Sequence, residues 1–544
     1  MGVGEDSTLP YLLELLSVND SGFDQINMSP EGKRHQTIEA LKRIALKGSE
    51  VRPLVMAIED LHWADKSSED TLKYLLESIA GSRVFLVLTY RPEFVPTWTA
   101  KTFHNQVTLN RLSNRESLAM VSHLLGTEEI DSTLQEVILE KTEGIPFFIE
   151  EMIKSLKDMG VVEKRDNRYG LSQPYQEIAV PSTIQDVIMA RVDSLPEGAK
   201  EVLQTGSVIE REFGHELIQR TTGLPDKELF SHLSLLKDAE LLYERGVYPR
   251  LTYIFKHALT RDVVYDSILA RRKKRLHGDV GDGIEELHKD SIAQHYGVLA
   301  DHYIAGENYE KGAIHSRFAE RRAEKAGAIN DAIAFGEKRI ECLERLPVTE
   351  DTQRKVIDAR TTLGLYYLQA FDPLKAKQAI DPIMDTALEI GYKKRLSQLL
   401  TILGVYLYFV QRDPQQAIEK LEAALEIAEE EGNIVSVVFA KYWLATILVY
   451  QCEFESALYH YEKALEINIE AGSLWGISVT KCNMALACAG MGEMSKALEI
   501  STEAVEISEQ SGDFYSKAQT CGVHQTVLEY IGFLAESENA VCFL

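Results

Sequence analysis

A chain of 544 residues with 45 % hydrophobic and 26 % charged content has the make-up of a globular protein, long enough for roughly three or four domains. The formal net charge is −26, and the last 144 residues alone hold 21 acids against 7 bases; that balance argues against DNA or an anionic membrane as the partner of this segment. No apolar run approaches the roughly 20 residues of a bilayer span, no basic stretch precedes an apolar one at the N-terminus, and both lipidation patterns fail, at Asp6 and at Cys542.

The first strong element is "LVMAI" (54–58), an apolar strand that stops at Glu59 and Asp60. Asp65 is placed to cap a helix, and Leu72, Leu75, Leu76 and Ile79 line one face of it. "VFLVLTYR" (84–91) is a second apolar strand. Two such strands joined through a helix predict a parallel sheet, covered on both faces. Ligands of such sheets sit beyond the carboxyl ends of the strands, where Glu59, Asp60, Thr89 and Arg91 fall. "QVTLNRL" (106–112) reads as an edge strand. "SNRE" (113–116) reads as a capping box that opens a helix with Leu118, Val121 and Leu125 inward. A further helix follows in "DSTLQEVILEKTEG", with Gly144 at its end, and another starts at Pro146.

Between 160 and 270 helices alternate with hairpins at "GVVEKRDNRYGL" and at 241–255, whose centre carries Gly246 and Pro249; three helices plus a hairpin is the winged-helix pattern. The basic run "RRKKRLH" (271–277) interleaves no aromatics, and as the end of a helix it would complement the helix dipole. From about 290 the pattern is helical to the end, with a period of 40: Ala417, Ala457 and Ala497; Ala424, Ala464 and Ala504; Gly432, Gly472 and Gly512. Small residues seven apart let a partner helix approach closely, and glycine then ends each helix. A fixed period with two helices per unit marks a solenoid. Copies at 302–343 and 361–391 are degenerate, and Pro382 interrupts one of them. The six cysteines all lie from Cys342 onward without a CxxC, which predicts buried free thiols in a reducing cytoplasm.

The 40-residue unit resembles the longer tetratricopeptide repeat. Together with "EDLHWAD", "VFLVLTYRPEF", "KTEGIPFFIEE", "VPSTIQDVIMARVDSLPEGAKEVLQTGSVIEREF" and "YIFKHALTRDVVYDSIL", it makes the chain similar to the bacterial STAND ATPases, signal-transduction ATPases with numerous domains, in a subgroup that often follows a class III nucleotide cyclase domain. The resemblance implies an α/β P-loop-type NTPase core at 1–145, a helical and winged-helix region at 146–282, degenerate repeats at 283–400 and tetratricopeptide repeats at 401–544. It implies ATP and Mg²⁺ as cofactors. Glu59 and Asp60 match the acidic Walker B pair, one holding Mg²⁺ and the other orienting the attacking water; their other reading is as capping acids at a strand end. Arg91 matches a sensor of the γ-phosphate, or makes a surface ion pair. Pro146 matches a proline near the adenine, or simply starts a helix. His257 matches a winged-helix histidine that touches phosphate, or is structural. Trp63 is expected to pack and Asp65 to cap.

The other half of such a site is a GxxxxGK[ST] loop, and the sequence has none. The nearest stretch, "EGKRHQT" (31–37), has Asn27 where the first glycine belongs and Arg34 where Ser or Thr belongs. The family's loop precedes the part that resembles "STLPYLLELLSVND", so the expectation is a truncated frame or a fragment of a longer protein, with "AVCFL" suggesting a lost C-terminal cap as well. A regulatory ATPase-like protein is therefore expected that does not hydrolyse ATP or hold it tightly by itself. Its repeats would bind a protein or peptide, a basic one by charge. The alternatives are an interaction scaffold with a vestigial ATPase module, or the C-terminal part of a nucleotide cyclase.

Overall fold

The computed structural model describes residues 5–16, 18, 22–23, 26, 28–99, 101–165, 168–172, 183–247, 250–511 and 514–532. Most of them are helical. The chain forms two compact units, Met1–Phe103 together with Tyr309–Leu544, and His104–Asn308.

In the first unit, strands β1 (Leu54–Ile58) and β2 (Val84–Leu88) pair in parallel, with Leu54 opposite Val84 and Ile58 opposite Leu88. The helix between them, Lys66–Ser78, starts where Asp65 accepts a hydrogen bond from the Ser68 amide at 2.7 Å. Leu72, Leu76 and Ile79 are buried beneath one face of the sheet, against Ile58, Leu86 and Leu88. The other face is open: Val55 and Phe85 are 68 % and 67 % exposed. This corrects the expectation of strands buried on both sides. With two strands and one helical layer, every second side chain has nothing to pack against among the described residues. "EGKRHQT" forms the first turns of helix Pro30–Val51, capped by Ser29, whose hydroxyl accepts from the Gly32 amide.

The same unit holds the repeat array. Helices Pro414–Glu430, Ile434–Tyr450, Phe454–Glu470, Leu474–Gly490, Met494–Ser511 and Phe514–Ile531 follow one another as packed neighbours. Ala417, Ala457, Ala497, Ala424, Ala464 and Ala504 are all fully buried, as close helix approach requires. Gly432 and Gly472 take φ of +63° and +64° just past their helices; Gly512 lies outside the described residues. Upstream, Tyr309–Lys325, Ile329–Glu344 and Glu350–Gln369 pack in succession. Pro382 sits in a short turn, Asp381–Ile383, between Pro373–Ile380 and Met384–Glu389. Of the described cysteines, Cys342, Cys482, Cys488 and Cys521 are buried free thiols and Cys452 is exposed. No helix among the described residues is long and apolar enough to cross a membrane.

In the second unit, residues 106–112 form no strand; Val107 and Leu109 are 77 % and 91 % exposed. The segment's alternation has no ladder to join, and Leu112 instead donates its amide to the Gly144 carbonyl at 2.8 Å. Gly144 itself has φ +73°, and a Cβ there would lie 2.1 Å from the Leu112 carbonyl oxygen, so the position admits only glycine. The capping box is formed: the Ser113 hydroxyl accepts from the Glu116 amide, and the Glu116 carboxylate accepts from the Ser113 amide at 2.8 Å. Val121 and Leu125 point inward with Ser117, while Leu118 is half-buried. Strands β3 (Val162–Arg165) and β4 (Arg168–Leu171) are antiparallel. Helices Glu197–Ile209, His215–Thr222 and Asp226–Asp238 precede the hairpin of β6 (Leu242–Val247) and β7 (Arg250–Phe255), and β5 (Glu212–Gly214) pairs with the far side of β7. Pro249 lies outside the described residues. The basic run corrects another expectation, since it occupies the start of helix Ala270–Leu287 rather than an end. There it opposes the dipole. Ion pairs offset this, among them Arg272 to Glu201 at 3.1 Å and Lys274 to Glu307 at 2.6 Å.

Candidate functional site

Glu59 and Asp60 leave β1 at its carboxyl end, and Thr89 and Arg91 leave β2 beside them. Backbone bonds tie the two exits together, Thr89 N–H to the Ile58 carbonyl at 3.0 Å and Leu61 N–H to the Thr89 carbonyl at 2.9 Å. Asp60 takes a left-handed φ of +55°, and its amide donates to the Thr89 hydroxyl at 3.0 Å. A non-glycine residue held there costs about 1 kcal/mol or more, so the turn presents its carboxyl group at the expense of local comfort. Glu59 is exposed and Asp60 half-buried.

Arg91 is exposed, and its guanidinium lies 5.8 Å from the centre of the Trp63 ring. Trp63 is itself 52 % exposed, so it serves as a shelf for that cation rather than as core packing. His62, which the sequence reading passed over, packs on Trp63 at 4.8 Å. Both its ring nitrogens are shielded from solvent without a hydrogen-bond partner. Nothing in "EDLHWAD" distinguishes this histidine from a spacer; only its neighbours do.

Two exposed-to-half-buried carboxylates at a strand end fit a hydrated Mg²⁺, a hard cation that takes oxygen ligands. The stretch nearest to a phosphate loop, 31–37, lies inside helix Pro30–Val51. Lys33 gives its ammonium to the Phe23 carbonyl at 2.9 Å, 4.8 Å from the Phe23 ring centre, within a helix. The rim thus brings Glu59, Asp60, Thr89 and Arg91 to one end of the two-stranded sheet.

Pro146 and His257 belong to the second unit. Pro146 is the first residue of helix Pro146–Asp158, where its missing N–H costs nothing. The next residue, Phe147, places its ring 3.9 Å from that of His257. His257 precedes helix Ala258–Asp266, and its Nε2 is buried without a hydrogen-bond partner. Burial holds its pKa below the ordinary histidine value, with Lys256 and Lys154 adding to this and Glu150 opposing it. His257, Glu150 and Glu151 bring one ligand atom each within 4.8 Å of one another. Their carboxylates are already engaged. Lys256 bonds Glu150 and Glu240 at 2.8 Å each, Lys154 bonds Glu150 at 2.9 Å, and Arg191 pairs with Glu151 in the interior. Burial pushes the Glu150 carboxyl up, and the bonds from Lys256 and Lys154 bring it below its ordinary value. A metal ion would have to displace these cations, so the group is a salt-bridge network.

Residues 113–169 match the family described as a domain of unknown function, DUF8739. An uncharacterized protein of Rhizobium meliloti (strain 1021), R02095, is 23 % identical over 373 residues, covering 67 % of this chain and 35 % of its own length. The chain thus spans about a third of the length of the curated relative it matches. A signal-transduction ATPase with numerous domains and a tetratricopeptide repeat sensor, from Pyrococcus horikoshii, aligns over 98 % of this chain and 80 % of its own, at 13 % identity and a TM-score of 0.37. Aspartyl phosphate phosphatase F of Bacillus subtilis aligns over 79 % of this chain and 97 % of its own, at 10 % identity and a TM-score of 0.30. At these scores the architecture rests on the geometry described above.

Proposed function

We propose that this chain is a regulatory, repeat-bearing part of a STAND-type signal-transduction ATPase. The observation that carries the reading is the coexistence, in one compact unit, of a parallel βαβ rim ending in Glu59-Asp60 and a helical array of period 40. In this reading the rim is what remains of a P-loop-type core. The three helices and three-stranded sheet of the second unit are a winged helix, with His257 and Pro146 turned to nucleotide recognition. The array takes a protein or peptide, a basic one by its acidity.

By itself the chain would not hydrolyse ATP. Glu59 and Asp60 would place Mg²⁺ and the attacking water only once a phosphate-binding segment is supplied from outside these 544 residues. That segment would bring the lysine and the backbone amides that neutralise the triphosphate. The test is an ATPase assay on the chain alone and on a longer polypeptide that adds a GxxxxGK[ST] segment ahead of it. Turnover is expected only in the longer form and should vanish in Glu59→Gln/Asp60→Asn. Turnover by the chain alone would contradict the proposal. A scaffold reading, with the rim as a packing module, is favoured by the engagement of Lys33 with Phe23; it predicts no turnover in either form.

A further inference from the structure

The repeat turns carry glycine for its positive φ, and at most of them there is room to spare. A Cβ built on Gly391 (φ +61°), Gly432 (φ +63°) or Gly472 (φ +64°) meets nothing within 4 Å. Gly327 (φ +66°) is different. A Cβ there would lie 2.5 Å from the Glu31 amide nitrogen and 2.6 Å from both the Glu31 Cα and the Pro30 carbonyl carbon. The backbone of the first turn of helix Pro30–Val51 is therefore seated on the turn between Tyr309–Lys325 and Ile329–Glu344.

The same turn reaches further. The Gln369 side chain donates to the Glu31 carboxylate at 3.1 Å. The Ser29 amide donates to the Ser511 carbonyl at 3.1 Å, at the far end of the array. His35, one turn on, is held below the ordinary histidine value by burial and then by Lys42 and Lys517, with Glu39 opposing. One helix start thus touches the array at Gly327, at Gln369 and at Ser511. Further along, the same helix buries Ala40 and Ala45, and its Leu46 packs into the cluster beneath β1 and β2.

We propose that helix Pro30–Val51 is a lever clamped between the two ends of the repeat array and the underside of the carboxylate-bearing sheet. A shift at either end of the array is then transmitted to the packing beneath the Glu59-Asp60 rim. The inference concerns contacts within one unit and does not depend on whether a nucleotide binds there.

The experiment is amide hydrogen–deuterium exchange by mass spectrometry on the full chain. Gly327→Ala is compared with Gly391→Ala, which imposes the same backbone strain where there is open space. Gly327→Ala is expected to raise exchange about tenfold in residues 30–37, and also in 514–520 and 58–61, which are remote in sequence. Gly391→Ala should leave all three unchanged. Gln369→Ala, which touches no backbone strain, should raise exchange in 30–37 a few-fold. Exchange that rises only around 323–332 in Gly327→Ala, or equally in both glycine variants, would overturn the proposal. So would an unchanged 30–37 segment in Gln369→Ala.

Discussion

Lowering the pH from 7.5 to 5.0 should weaken the second unit through two buried histidines. His277 Nδ1 and His302 Nδ1 are 2.9 Å apart, and the Tyr265 hydroxyl lies 2.9 Å from His277 Nε2. Both histidines are nearly buried. One consistent assignment has Tyr265 donating to His277 Nε2 and neutral His277 donating from Nδ1 to His302; with both rings charged, two Nδ1–H donors would face each other. Burial, and then Arg261 and Lys273, press the His277 pKa down to about 4. Burial, and then His277 and Arg261, press His302 down to about 3. The unfolded chain protonates both near 6.5. The unfolded state therefore binds more protons below that value, and stability present above pH 6.5 is lost as pH falls toward the folded-state values. From 6.5 to 5.0 the loss is about 2 kcal/mol for His277 at 1.36 kcal/mol per unit, and at most a similar amount for its coupled partner. The Glu240 carboxyl, held to about 2 by its bonds to Lys154 and Lys256, stays ionised in both states' relevant range until the pH approaches 4.5, so it adds little in this window. The assay is urea equilibration of the full chain followed by a thermolysin pulse, with fragments of His104–Asn308 quantified by mass spectrometry. The urea midpoint for this unit should fall between pH 7.5 and 5.0. The fall should shrink in His277→Gln/His302→Gln, whose stability at pH 7.5 is lower to begin with. An equal fall in wild type and double variant would refute the reasoning.

Two more outcomes follow from the packing. Glu151→Ala strands the Arg191 charge in the interior and should cost about 3–5 kcal/mol in urea unfolding of the second unit, whereas Glu151→Leu/Arg191→Met should recover most of it. Ala464→Leu forces three extra carbons into a fully buried helix–helix contact and should lower array stability by about 1–3 kcal/mol, read as a lower thermal midpoint by tryptophan fluorescence.

Signals carried within a few residues were legible before any coordinates. Asp65 and the Ser113/Glu116 pair cap helices because their oxygens reach amides two or three residues away. The alanines at a spacing of 40 are buried because a repeat must bury the same position each time. What the sequence did not reveal depended on partners far along the chain. The pattern at 106–112 reads as a strand, but a strand exists only beside another. The apolar outer positions Val55 and Phe85 demand cover that the described residues do not provide. The run at 271–277 opens its helix, and that start was not legible because Leu269 and Ala270 carry no cap signal to mark the boundary. At the candidate site, the position of Glu59 and Asp60 beyond β1 follows from the apolar run before them. The Trp63 shelf under Arg91, the unpartnered His62 and the seating of Pro30 on Gly327 are contacts no local pattern encodes.

Isothermal titration of Mg-ATP into the purified chain probes the phosphate grip most directly. Two acids, with Lys33 committed to Phe23, should give no heat of binding tighter than about 1 mM, an affinity of roughly −4 kcal/mol. Saturable binding in the micromolar range, abolished by Glu59→Gln/Asp60→Asn, would show that another loop of this chain holds the triphosphate and would contradict the account.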